Sequence, residues 1–211
     1  MATAGCFALF SLDGYGPLAD PSDASLDGDA PSVDAAGGGD GGDASPQGRT
    51  IFVTSATFTG DLGMRDGAHA KCQAAAEAAG LPGTYRAWLS ELGSRAVDEL
   101  VQDAGPLRLT SGVVVASDAA ELARSGPRTA IVLDERGMKL GGGSCNNGLV
   151  AWTGPASDGG PADPSGADCQ RWRSSGAAPG LAGPVGAAGA AWAGVCSRPC
   201  GQKAALYCIQ Q

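Results

Sequence analysis

The chain holds a single histidine, and it has no lysine, arginine or glutamate before Arg49. One imidazole, His69, excludes zinc centres built from several histidines and restricts general acid–base chemistry. No apolar run reaches the roughly 18 residues that a membrane-spanning helix needs. Aromatic residues are scarce at 5%, while glycine is abundant at 35 of 211 residues, which excludes a long helical bundle and suits a loop-rich fold. The basic residues that would neutralise a phosphate backbone are not gathered anywhere. Eight aspartates precede Arg49, so 14 acidic residues face 14 basic ones from there on. The net charge of -8 therefore belongs to the tail. A neutral head with scattered arginines excludes nucleic acid as a partner.

What remains is a 43% hydrophobic chain, enough for one core, and seven cysteines. Cytosolic thiols are kept reduced, whereas exported domains use cysteines as staples, so the odd count reads as six plus one. Six cysteines permit 15 connectivities. Cys196-Ser-Arg-Pro-Cys200 has three intervening residues and no second thiol pair at metal spacing, so it reads as disulfide framework, not zinc or redox chemistry. The run Gly141-Gly-Gly-Ser-Cys145 has no Gly-Lys-Ser/Thr after it. It reads as a loop pinned by Cys145 and not as a phosphate cradle.

The stretch around Cys72 organises the rest. Ala68, Cys72, Ala75, Ala76 and Ala79 recur at helical spacing and form a narrow small-residue face suited to close packing on a sheet. Gly80 supplies a left-handed stop and Pro82 prevents resumption. From Thr84 the period becomes two, with Tyr85, Ala87 and Leu89 on one face and Arg86 and Trp88 on the other. His69 reads as an exposed residue of this helix. Further along, Arg49–Thr54 is the first strand, Arg95–Asp103 has a short helical pattern, and Val113–Val115 is extended. Asp118 and Glu121 form a capping pair before a short helix, and Asp134–Gly137 is a hairpin turn by composition. Loops rich in Gly and Pro follow, until Ala204–Ile209 returns to strand character.

At the N-terminus, Ala4-Gly5-Cys6 resembles the end of a bacterial lipoprotein signal, in which cleavage leaves a lipidated cysteine. Residues 1–15 are thus expected to be the remnant of such a signal, with the true start upstream; the alternative is a free thiol at Cys6. Residues 16–48, rich in Asp, Gly and Ala, cannot bury enough apolar surface to order themselves. They form a spacer reaching on the order of 30 to 40 Å. The head is 49–211.

Three blocks of that head resemble the endostatin-like branch of the C-type lectin-like fold, known from bacterial surface lipoproteins. They are Gly67-Ala-His-Ala-Lys-Cys72 with Gly80-Leu-Pro-Gly-Thr-Tyr-Arg-Ala-Trp-Leu-Ser90; Val150-Ala-Trp152-Thr-Gly154, Ser157-Asp-Gly159 and Cys169-Gln-Arg-Trp172-Arg; and Cys200 with Leu206-Tyr-Cys208-Ile. The resemblance implies an α+β class with a small twisted mixed sheet, two helices and chain ends paired as neighbouring strands. It also implies Cys72–Cys208 and Cys169–Cys200 bridges, and leaves Cys145 and Cys196 to each other. Calcium sits in this loop region of many lectin-like domains, where Asp158, Asp163 and Asp168 fall, but the sugar-binding calcium signatures are missing. These aspartates read as solvated turn formers, with Asp158 and Asp163 near a ligand surface and no cofactor. Trp152 and Trp172 are expected in the core and Trp192 as an exposed ligand contact. The expected function is an exported, lipid-anchored envelope module that binds an extracellular protein or carbohydrate without catalysis. The alternatives are an enzyme using Cys145 or Cys196 as free thiols or a metal, and a purely structural envelope protein.

Overall fold

β-Branched and aromatic residues favour an extended chain, and Arg49–Val53 forms β1. The computed structural model describes residues 48–102, 104–154 and 166–211. Cys6, Asp158, Asp163 and the spacer up to residue 47 lie outside the described residues. After β1 come α1 (Met64–Ala78), β2 (Tyr85–Ala87), a 3-10 turn (Ala96–Glu99), β3 (Leu107–Arg108), β4 (Val114–Ala116) and α2 (Ala119–Ser125). The second half adds β5 (Val150–Trp152), α3 (Cys169–Trp172), β6 (Pro179–Pro184), a 3-10 turn (Gly189–Trp192), β7 (Cys196–Pro199) and β8 (Ala205–Gln210).

The class is mixed α+β: an eight-stranded sheet ordered β4-β3-β1-β8-β5-β6-β7, with β2 also on β8. Among the described residues there are three helices where two were expected, and the third is of unusual hand. β1 and β8 pair antiparallel with Phe52 opposite Cys208, so the described ends of the head are neighbouring strands. On its other edge β8 pairs antiparallel with β2 and parallel with β5, which makes it the strand on which three others depend.

Alternation along β1 and β8 divides the interior in two. Ile51, Val53, Tyr207 and Ile209 face a cluster with Trp88, Leu122 and Trp192. Phe52, Leu206 and Cys208 face a second with Ala68, Cys72, Tyr85 and Trp152. α1 lies on the second face through Ala68, Cys72 and Ala76, whose side chains are short enough for close approach. Its end is a Schellman motif: Gly80 has φ 71°, its N–H donates to the Glu77 carbonyl, and the Leu81 N–H donates to the Ala76 carbonyl. α2 is capped by Asp118, whose carboxylate accepts from the Glu121 N–H. At the expected hairpin, Leu133 bridges Lys139 and the Asp134 carboxylate accepts from the Arg136 and Met138 N–H groups.

Three disulfides join Cys72 to Cys208 and Cys169 to Cys200, the two pairs that the resemblance implies, and Cys145 to Cys196, the two cysteines it leaves over. Their sequence separations are 136, 51 and 31 residues, for which chain-entropy arguments give about 4 to 5 kcal/mol each. They suit an oxidising, extracytoplasmic environment. Among the described residues no helix is long and apolar enough to cross a membrane.

Candidate functional site

The feature that departs furthest from ordinary backbone chemistry is α3. Cys169, Gln170, Arg171 and Trp172 have φ of 52°, 55°, 58° and 60°, so four successive non-glycine residues form a left-handed turn. The Cβ of an L-residue crowds the following carbonyl in this region, at about 1 to 2 kcal/mol per residue. The surroundings hold it there. The Trp172 N–H donates to the Asp168 carbonyl at 2.8 Å and the Arg173 N–H to the Cys169 carbonyl at 3.1 Å. Cys169 is bridged to Cys200, and Gly60 and Gly180 leave room for that sulfur where any Cβ would overlap it. Trp172 is fully buried against Trp152, with ring centroids 5.9 Å apart, and its indole N–H donates to the Ser90 carbonyl at 3.0 Å.

Asp168 completes the clamp. It is 2% exposed, its Oδ1 accepts from the Arg171 N–H at 3.0 Å, and its Oδ2 accepts from the Leu92 N–H at 3.0 Å. The expectation of a solvated aspartate is therefore corrected: two backbone donors take Asp168 inside. Outward from this turn point Gln170, Arg171 and Arg173, all exposed. Among the described residues neither Arg171 nor Arg173 has a carboxylate in ion-pair distance; the Arg173 guanidinium lies 2.9 Å from the Met64 sulfur. Met64 and Leu92, 39% and 45% exposed, add apolar surface beside them.

No family model and no curated protein matches the chain. The site therefore has to be read from its own chemistry.

Trp192 is corrected. It is fully buried, with its ring 5.0 Å from Trp88 and 5.1 Å from Tyr207. The small residues around it close the loop over the ring. A Cβ on Gly183 would overlap the Trp192 carbonyl, and one on Gly126 would overlap Gly189, so these glycines let the loop collapse onto the sheet. Asp158 and Asp163 lie outside the described residues. Cys145 and Cys196, the thiols that an enzyme would use, are joined to each other.

His69 is likewise not a free surface group. Its Nδ1 accepts from the Ala87 N–H at 3.0 Å, which fixes the proton on Nε2, 2.8 Å from Glu99 Oε2. Burial, then the nearby Arg86 and Arg65, push the imidazole down to about 4. Arg65 holds Glu99 and Ser94 and pairs with Glu91. With both ring nitrogens engaged, His69 ties α1 to β2 and the first 3-10 turn. Among the described residues no three His, Cys, Asp or Glu side chains gather at metal-binding distance.

Sequence reading missed α3 because nothing local announces it. The chain from 169 to 172 contains no Gly or Asn, the residues that tolerate this region. The one available signal was Asp168 three residues before Arg171, the spacing of a cap.

Proposed function

We propose that the protein is an exported, lipid-anchored surface module with the endostatin-like variant of the C-type lectin-like fold. It binds an extracellular protein or glycan through the face around α3, without turning it over. The observation that carries this reading is the left-handed turn itself. Backbone held in a disfavoured region persists only where the surroundings over-determine it, and it concentrates at sites of recognition and catalysis. Here the disfavoured turn sets Gln170 and Arg171 outward from a base fixed by a disulfide, a buried tryptophan and a buried carboxylate. Rigid presentation lowers the entropic cost of binding, and arginine is favoured at the centre of interfaces. The contact residues thus move from Trp192 to Gln170, Arg171 and Arg173. The anchor at Cys6 and the spacer of 16–48 belong to the same reading, as the means of holding the head off a membrane.

A glycan and protein array probed with the full chain tests it. The expected outcome is a set of hits that an Arg171→Ala, Arg173→Ala variant loses while keeping its melting temperature. Hits that this variant retains would place the ligand surface elsewhere. Mass spectrometry of the mature protein tests the anchor separately, and an unmodified Met1 would remove it.

A further inference from the structure

A second surface stands apart from α3. Where β1 begins, a groove of about 870 Å³ is lined by Arg49, Thr50, Ala104, Arg108, Thr110 and Gln210 among others. Its described lining carries two arginines and no acidic side chain. Both arginines are built in. Arg108 lies across Gly48, where a Cβ would come within 2.7 Å of its Nε and 2.6 Å of the Pro106 carbonyl, so glycine at 48 is what lets the guanidinium in. Its Nη1 donates to the Gly112 carbonyl at 3.1 Å.

Arg49 is 4% exposed. One of its nitrogens, Nη1, donates to the Val101 carbonyl at 2.6 Å, while Nε and Nη2 are buried without a hydrogen-bond partner among the described residues. A buried guanidinium with open donors is costly, because water is lost and nothing replaces it. Asp118 offsets part of this at a distance but is not in ion-pair contact with Arg49. The two open nitrogens are also a particular pair. Nε–H and Nη2–H form the parallel fork of arginine that meets the two oxygens of a carboxylate.

We propose that this groove is a carboxylate-binding site, in which the Nε–Nη2 edge of Arg49 takes both oxygens of one carboxylate and Arg108 supplies the second positive charge. The carboxylate comes from a small organic acid or from a uronic sugar. Each open nitrogen exposes less than 1 Å², so the acid has to shift part of the groove wall to reach the fork. The backbone amides of Ala104 and Gly105 should therefore move with it.

The test is a nuclear magnetic resonance titration of the full chain, following the Nε–H signal of Arg49. Sodium acetate and sodium glucuronate are the probes, with sodium chloride and glucose as controls. The expected result is a saturable shift with the two acids and none with the controls. Tighter binding of glucuronate assigns the site to a sugar acid, and equal binding assigns it to small acids. Arg49→Lys, which keeps the charge and loses the fork, should weaken binding about tenfold or more. Arg108→Ala should weaken it about threefold at unchanged melting temperature, and it carries the test if Arg49→Lys does not fold. A linear, non-saturating response, or the same response to chloride, overturns the proposal. So does an Arg49 signal that moves only in Asp103→Asn or Asp118→Asn, because the fork would then be filled from within the chain.

Discussion

α1 and α3 each carry a cysteine that bridges toward the C-terminal end of the chain, yet they are held in opposite ways. α1 would be a helix in almost any setting. Its alanines favour the helix, its small face fits the sheet, and Gly80 ends it with two satisfied carbonyls. The Cys72–Cys208 bridge fixes an element already inclined to form. In α3 the backbone opposes its own conformation, and the disulfide, Trp172 and Asp168 impose it. The difference separates two uses of one device. In the first the bridge secures the fold, and in the second it holds a shape that the proposed ligand surface depends on.

Removing each bridge tests this most directly. By loop closure alone, Cys72→Ala with Cys208→Ala should cost about 5 kcal/mol, and Cys169→Ala with Cys200→Ala about 4 kcal/mol. If losing the second bridge also frees the left-handed backbone, relief of its strain widens the gap between them to about 2 kcal/mol or more. Equilibrium unfolding in urea measures both. A gap of 1 kcal/mol or less would mean that packing alone holds the turn. Next in size is Asp168→Ala, which takes the carboxylate acceptor from both the Leu92 and the Arg171 N–H groups and should cost about 3 kcal/mol in the same assay. Asp168→Asn keeps one oxygen and should recover about half of that loss.

α1 has its own weak point, and it is electrostatic. His69 is neutral when folded, with its value pushed from 6.5 down to about 4 by burial and by Arg86 and Arg65. Between those two values the unfolded chain binds the extra proton, so stability is full above about pH 6.5 and declines as pH falls toward 4. The loss should be about 2 kcal/mol after allowance for solvent screening, and His69→Gln should flatten that part of the stability–pH curve. A wild-type curve that is level across this window would remove the network from the account of how α1 is held.

The same contrast explains what could be read from the chain. The small-residue face at Ala68, Cys72 and Ala76, the Gly80 stop and the Asp118 cap follow from local pattern, the α+β class follows from the resemblance, and all are observed. The surroundings of Trp192 and Asp168 do not, because glycine around an aromatic ring means openness or close approach depending on what lies across the sheet. His69 failed for a related reason: its partners Ala87 and Glu99 are 18 and 30 residues away. The handedness of 169–172 rests on the adjacent Asp168 together with contacts distant in sequence, chiefly Cys200, Leu92 and Ser90.

Glycine substitutions give the smallest effect and the sharpest sign. Ala74 is an exposed residue in the middle of α1, and Gln170 is an exposed residue in the middle of α3. Ala74→Gly adds backbone freedom to a right-handed helix and should destabilise by about 1 kcal/mol. Gln170→Gly removes the Cβ that a φ of 55° penalises and should stabilise by about 1 kcal/mol, even though glycine widens the freedom of the unfolded chain. Opposite signs in paired thermal unfolding curves are expected, from replacement by glycine at two exposed positions. If both variants lose stability, residue 170 is not held in the left-handed region in solution, and the surface proposed for ligand recognition loses its basis. If only Gln170→Gly gains, the turn is strained as described. A loss of array binding by that same variant, despite its greater stability, would then show that recognition uses the side chain at 170.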